Sequence, residues 1–177
     1  QEFGLGDGMI GLLMGPAFVV LYVMAGIPLA RLADRWSRKM IIAIGCVTWS
    51  LATIATGMAT SELGLVLARA AVGIGEASFQ APAYSLLAAY FKPERRGIAF
   101  GMLGVATYVG QMIGQAGGPA IAEIHDWRFA FYLLGGIGIG VGILMGLVVR
   151  DPKRVVLNAA TSAAIPMLSL VKILARN

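Results

Sequence analysis

The sequence predicts an all-α fold, a polytopic bundle of membrane-spanning helices, and three observations predict it. Of the 177 residues, 58% are hydrophobic and 13% charged, with a mean hydropathy of +0.80. A soluble domain carries nearer a quarter charged residues because its surface has to be wetted. The charge-poor stretches are also long enough to cross a bilayer, whose hydrocarbon core takes about 20 residues of helix. Finally, the short segments between them alternate in charge. A β-barrel would show period-two alternation over about ten residues, whereas these runs are apolar all round. In lipid the backbone needs partners within its own segment, and a helix supplies them.

Five runs meet the length, at about 8–30, 40–61, 63–91, 97–122 and 129–149. The third is interrupted only by Arg69 and Glu76. The hinges are short, so neighbouring spans form antiparallel hairpins. Residues 1–7 carry Glu2 and Asp7, the hinge at 31–39 carries four bases against Asp34, and the next hinge has only Glu62. The segment 92–97 has three bases against Glu94, the segment 123–128 is acidic but for Arg128, and the tail from Arg150 is basic. The positive-inside rule puts hinges 31–39 and 92–97 and the tail 150–177 in the cytoplasm. The first span then runs from outside to inside. A protein that begins in the cytoplasm would have an earlier helix, and the opening Gln-Glu-Phe-Gly has no signal-peptide pattern. The expected location is the plasma membrane, or the inner membrane of a bacterium.

The tail is the segment without a clear span. Asp151-Pro152 is expected to stop the fifth helix. Pro166 opens a stretch in which Leu170, Ile173 and Leu174 make an apolar stripe. Such a stripe suits an interfacial or inter-domain helix, or the approach to a further span.

Several function classes are disfavoured. The net charge of +5 does not indicate nucleic acid, because the bases sit in hinges rather than in a stripe interleaved with aromatics. Cys46 has no second cysteine to pair with. His125, beside Asp126 in an outer hinge, reads as a solvated side chain. No cluster has metal-ligand spacing, no nucleophile–base pair is visible, and no cofactor is expected, so the chain does not read as an enzyme. Gly73-x-Gly75 is not a nucleotide loop, since no strand precedes it.

Two polar features stand out against the apolar background. In the hinge Ala30-Arg-Leu-Ala-Asp34-Arg35-Trp36-Ser37-Arg38-Lys39, a positive-inside loop explains the bases but not the acid. An acid at this helix end can pair with a neighbouring Arg and face the positive N-terminus of another helix. The third run holds the intramembrane charges. Arg69 and Glu76 lie about two turns apart on one helical face, and Gly73, Gln80 and Tyr84 continue the line. A charge facing lipid costs several kcal/mol, so this stripe should face the bundle interior or a water-filled cavity. Either it is an ion-pair network that fixes packing, or it is a substrate or proton site. A cavity that opens and closes switches a mid-membrane carboxyl between charged and neutral forms. In the fourth run Gly110, Gly114 and Gly118, followed by Pro119, are spaced for close helix packing, as are Gly138, Gly142 and Gly146 in the fifth. Gln111 and Gln115, one turn apart, line a cavity or glue helices together.

The Leu-Ala-Asp34-Arg35 core with the basic pair Arg38-Lys39 resembles the hinge between the second and third helices of the major facilitator superfamily. Ala30 and Ser37 stand where that motif has glycine. Arg69-x-x-x-Gly73-x-Gly75 resembles a motif of its fourth helix, and Gly110 to Pro119 a fifth-helix motif of its antiporters, with Ala122 at the place of the trailing glycine. The stretch from Gly73-Ile-Gly-Glu76-Ala through Pro82 to Phe91-Lys-Pro93-Glu94-Arg95-Arg96 is similar to the Spinster-like branch. Asp126-Trp127-Arg128 with Phe131, and Arg150-Asp151-Pro152, fit it too.

The resemblance implies helices two to six of twelve, an incomplete N-terminal half whose partners would be a first helix, a C-terminal half and the lipid bilayer. It implies alternating-access transport of a small organic or lipid-like, anionic solute, with protons as the coupling ion. The implied substrate and proton pathway is Arg69, Glu76, Gln80, Tyr84, Gln111 and Gln115. The implied cytoplasmic latch is Asp34, Arg35 and Arg38, with Glu94 a candidate partner for Arg38. Gly73, Gly75, Gly110, Gly114, Gly118 and Pro119 are assigned to helix packing. Organic-anion and sugar-acid symporters share Gly-Glu-Ala and are the rival substrate class. A receptor or scaffold on the same fold is the rival function, and it would not need Arg69 and Glu76 in the membrane.

Overall fold

The computed structural model describes residues 15–152, so the amphipathic stretch expected after Pro166 lies outside the described residues. The elements are α1 (Pro16–Arg35), α2 (Arg38–Met58), α3 (Glu62–Glu76), α4 (Gln80–Tyr90), α5 (Pro93–Ile124) and α6 (Trp127–Val148). No strand occurs among the described residues. Helices α2, α5 and α6 are long and apolar enough to cross a membrane, and α1 contributes the shorter apolar stretch Phe18–Ala33.

The single span expected over 63–91 is built as two helices, α3 and α4, joined by residues 77–79. Ala77 and Phe79 keep right-handed helical dihedrals, φ −59°, ψ −20° and φ −92°, ψ −52°. The amides of Ser78 and Phe79 bond the carbonyls three residues back, on Gly75 and Glu76, at 3.1 and 3.0 Å. The helix therefore tightens through one narrow turn and continues. Pro82 is the cause, because it has no N–H for the Ser78 carbonyl and its ring crowds that oxygen. The Ser78 hydroxyl donates to the Gly75 carbonyl at 2.6 Å. The basic hinges are also shorter than their charge suggested. Helix α1 runs on through Arg35 and α5 starts at Pro93, a position that suits proline because the first helical amide has no partner to lose.

Helix α2 is the hub. It packs along α6 on one side and α3 on the other, and it touches α1 and α4. The α2–α6 seam is made of small residues, which let backbones approach where lipid offers no hydrophobic drive for association. A Cβ on Gly135 would meet Ile54 Cγ1 at 2.5 Å and the Ser50 carbonyl at 2.7 Å. One on Gly142 would meet Val47 at 2.9 Å and the Ala43 carbonyl at 3.1 Å, and one on Gly146 would meet Ala43 at 3.4 Å. Gly138 sits against Ser50. As the numbering climbs α2 it falls by the same steps along α6, the register of an antiparallel pair. Cys46, buried in this seam, donates its thiol to the Gly138 carbonyl at 3.4 Å.

Across the other face of α2, a Cβ on Gly75 of α3 would meet the Trp49 amide nitrogen at 2.8 Å. Threonine hydroxyls of α2 turn back onto their own helix. Thr48, Thr53 and Thr56 bond the carbonyls of Ile44, Trp49 and Ala52 at 2.8, 2.8 and 2.9 Å, so these hydroxyls need no partner from a neighbouring helix.

Both ends of the hub are tied by side chains. At one end Arg128 donates through Nη1 to the carbonyls of Gly57 and Ala59, at 3.0 and 2.8 Å, and the Tyr132 hydroxyl donates to Gly57 at 3.1 Å. A cation on the last carbonyls of a helix satisfies orphan acceptors and meets the negative end of the macrodipole. At the other end Lys39 donates to the Gly146 carbonyl at 3.2 Å, Ser37 donates to Asp151 Oδ2 at 2.8 Å, and the Tyr90 hydroxyl donates to the Arg150 carbonyl.

Two outcomes follow for the thermal unfolding of this chain in lipid nanodiscs. Gly75→Ala forces a methyl against the Trp49 backbone and should lower stability by about 1–3 kcal/mol, while Gly101→Ala, with nothing within 4 Å of the added carbon, should leave it unchanged or slightly raised. Arg128→Ala should lower it by about 1.5–3 kcal/mol, the range for hydrogen bonds made by a charged group, and Arg128→Lys should recover part of the loss.

Candidate functional site

Helix α1 crosses in front of α3, and Gly73 is what lets it come near. A Cβ there would meet the Phe18 ring at 3.1 Å. Phe18 stacks on Tyr22 one turn further on, with ring centroids 6.1 Å apart. This places the Tyr22 phenol within electrostatic reach of Glu76, and Glu76 within reach of Arg69. Arg69 is half-buried and Glu76 presents surface. Among the described residues neither makes an ion pair within 4 Å. Tyr22 was not singled out in the sequence, although it is the one polar side chain of α1 between Pro16 and Ala30.

The tight turn at 77–79 separates the charged part of the stripe from its uncharged part. Gln80 opens α4 and is exposed. Tyr84 is half-buried and meets Phe100 of α5 edge-on, with centroids 5.0 Å apart and planes at 79°. That contact sets the depth of α5. Counting back from it at about 1.5 Å per residue, Gln111 lies near the level of Gly73 and Gln115 near that of Arg69. Both glutamines are exposed. Pro119 lies inside α5, which continues past it to Ile124. Its missing amide leaves the Gln115 carbonyl without its usual helical partner, adding an acceptor at the depth of Arg69.

The glycines divide into two groups. Gly73 lies against Phe18, Gly75 against Trp49, and the glycine series of α6 against α2. Gly110, Gly114 and Gly118 have nothing within 4 Å of an added Cβ, so the packing partner expected for them is not among the described residues. Of all the residues of α5, Ala99 is the one that is buried.

The expected latch residues gather at the end of the bundle that holds the basic hinge. Asp34 lies in the last turn of α1, and its side chain is outside the described residues. Arg35 is exposed, and Glu94 is exposed in the first turn of α5. Arg38 donates to the Ser85 carbonyl of α4 at 3.1 Å rather than to Glu94. The contacts actually made here use Ser37, Lys39, Tyr90 and Asp151. Ser37, read in the sequence as a small substitute for glycine, contributes a hydroxyl that reaches 114 positions along the chain to Asp151.

This arrangement places two charges on one face of α3, beside a glycine-floored crossing, with a basic hinge at one end of the bundle. The same chain, over residues 1–177, matches the family described as Major Facilitator Superfamily. The chain belongs to the major facilitator superfamily. An MFS-type efflux pump of Mycolicibacterium smegmatis is 34% identical over 150 residues, covering 84% of this chain and 35% of that protein. Protein spinster homolog 1 of Bos taurus is 32% identical over 157 residues, covering 87% and 30%. The sphingosine-1-phosphate transporter SPNS2 of Danio rerio is 29% identical over 157 residues, covering 87% and 31%. A crystal structure of a bacterial homologue of the human lysosomal transporter Spinster, inward-facing and unoccupied, superposes with a TM-score of 0.76 at 32% identity, over 86% of this chain and 37% of that one. This member of the superfamily thus spans about a third of the length of the relatives it matches. The Spinster-like character expected from Gly73 to Arg96 agrees with these relatives, and the apolar helices make it an integral membrane protein.

Tyr22 supplies a check on the geometry. A cysteine at Tyr22 and one at Glu76 should cross-link through a short bis-thiol reagent, while a cysteine at Tyr22 paired with one at Ile74, on the opposite face of α3, should not.

Proposed function

We propose that this chain forms part of the N-terminal half of a secondary transporter that moves a small organic or lipid-like anion by alternating access, coupled to protons. The observation that carries the reading is the placing of Arg69 and Glu76, two charges without an ion pair between them, on one face of α3 in a bundle of largely apolar helices. Charges held there are expensive unless they line a polar pathway. Carriers of this architecture bind substrate near the midplane between their two halves. The exposed side of α5, with Gln111, Gln115 and the open glycines, is the surface such a cavity would use.

In this mechanism Glu76 takes up and releases the proton. When the cavity opens to water its carboxylate is solvated; when the cavity closes, desolvation favours the neutral acid. Arg69, which has no ion-pair partner among the described residues, binds the anionic group of the solute. Tyr22 offers a hydroxyl to either state of Glu76. The hinge around Asp34, Arg35 and Arg38 lies in the cytoplasm and latches the closed form, with Glu94 beside it. The zebrafish relative's name supports a lipid-like phosphate ester as solute. The guanidinium at Arg69 would serve a smaller organic anion equally, and that is the second reading.

The test is uptake by the full-length protein in proteoliposomes under an imposed pH gradient. Glu76→Gln should reduce gradient-driven uptake at least about tenfold while leaving solute exchange without a gradient, since the variant keeps a permanently neutral, membrane-tolerated side chain. Full gradient-driven uptake by Glu76→Gln would remove the proton role. Against a scaffold on the same fold, a cysteine at Gln80 should react with a membrane-impermeant thiol reagent in one transport state and be protected in the other; protection in every state would favour the scaffold.

A further inference from the structure

We propose that a recess on the outer side of the bundle holds one acyl chain of an anionic phospholipid of the cytoplasmic leaflet, with its phosphate at Arg31 and Arg35. The recess, about 200 Å³, lies between α1, α2 and the end of α3. Its walls are Leu29 and Leu32 of α1, Trp36 just past its end, Ile41 and Ile44 of α2, and Ile74 of α3. It lies away from the transport stripe, because Ile74 and Ser78 sit about 200° around the helix from Glu76.

Its depth matches one leaflet. It begins at Trp36, beside the hinge, and ends at Thr48 and Ser78. From the hinge to Thr48, α2 rises about 16 Å at 1.5 Å per residue, close to half of a bilayer core of about 30 Å. The two hydroxyls at its inner end are already used, Thr48 on the Ile44 carbonyl and Ser78 on the Gly75 carbonyl, so the recess presents carbon along its length. A peptide segment entering it would bring backbone groups with no partners, whereas an acyl chain has none to satisfy.

Its mouth is aromatic, with charge beside it. Trp36 is 60% exposed, and a tryptophan at such a boundary suits the headgroup level. Arg31 and Arg35, one turn apart and exposed, line the neighbouring depression, which shares Leu32 with the recess. Among the described residues neither arginine makes an ion pair or hydrogen bond. The two guanidinium groups lie beside the slot, across Leu32 from it, within reach of an acidic headgroup whose chain occupies the slot, and a neutral lipid would leave both without a counter-charge.

The assignment to the cytoplasmic leaflet rests on the orientation proposed above, but binding itself does not. Retention by detergent-solubilised, full-length protein is therefore the measurement, read by native mass spectrometry with phosphatidylglycerol and phosphatidylcholine of identical chains. The unsubstituted protein should retain phosphatidylglycerol about tenfold more than phosphatidylcholine, on the order expected for two interfacial arginines. Arg31→Gln with Arg35→Gln should bring phosphatidylglycerol down to the phosphatidylcholine level. Ile44→Trp and, separately, Ile74→Trp should fill the recess and lower retention of both lipids several-fold; both positions are half exposed, so the fold tolerates them. Inorganic phosphate should not compete. Equal retention of the two lipids by the unsubstituted protein, or unchanged retention in both tryptophan variants, would overturn the site and leave the transport reading standing. So would an efficient disulfide between a cysteine at Ile44 and another part of the same protein, which would show the recess filled by protein.

Discussion

Everything in this bundle hangs on how near the backbone of α2 comes to its two neighbours. In lipid the apolar side chains of two helices gain little by leaving the hydrocarbon for each other, so association depends on close packing and on hydrogen bonds. Ala43, Cys46, Ser50 and Gly57 of α2 supply a small-residue seam, and Gly135, Gly138, Gly142 and Gly146 of α6 fit against it. Gly75 does the same for α3 against Trp49. A Cβ at Gly135, Gly142 or Gly75 would collide with the facing helix and lift it away, and the end clamps would lose their reach. Arg128 meets the α2 carbonyls, and Ser37 meets Asp151, because the seam between those ends is already closed.

The functional face depends on this hub without being part of it. Helix α3 is held by α2 on one side, which leaves Arg69 and Glu76 on the other, where α1 brings Tyr22. The tight turn imposed by Pro82 keeps α4 in line with α3, so the stripe continues through Gln80 to Tyr84 and reaches α5 through Phe100. Helix α5 is held at this contact and along α6, and the rest of its surface is open. A rigid pair, α2 with α6, thus stands behind a more lightly held set that carries the polar residues. In an alternating-access carrier, that division separates what must keep its shape from what lines the moving cavity.

Much of this was legible in one dimension. Hydropathy marked the runs that became α1, α2, α5 and α6, because a lipid solvent leaves a strong compositional trace. The periodicity of Arg69, Gly73 and Glu76 placed them on one helix face, and the α6 glycine spacing announced a packing edge. The break at 77–79 was harder to see, since Pro82 acts on the carbonyl four residues earlier inside a run that reads as unbroken apolar sequence. In the hinge, charge suggested Glu94 as a candidate partner for Arg38, and the bond that Arg38 makes goes to a backbone carbonyl, that of Ser85; carbonyls are silent in a sequence. Likewise the spacing of Gly110, Gly114 and Gly118 signals close approach without saying to what.

By itself, then, the sequence determined the solvent, the helical class, the family resemblance and the face on which the membrane charges lie, because these follow from composition and from a repeat of 3.6 residues. Only the tertiary structure decided which small residues meet, that Phe18 lies over Gly73 and brings Tyr22 toward Glu76, that Ser37 binds Asp151, and that an apolar slot opens beside Trp36. Each of these depends on an approach between residues far apart in the chain. Its distance is set by how closely whole helices pack, a quantity that no local pattern carries.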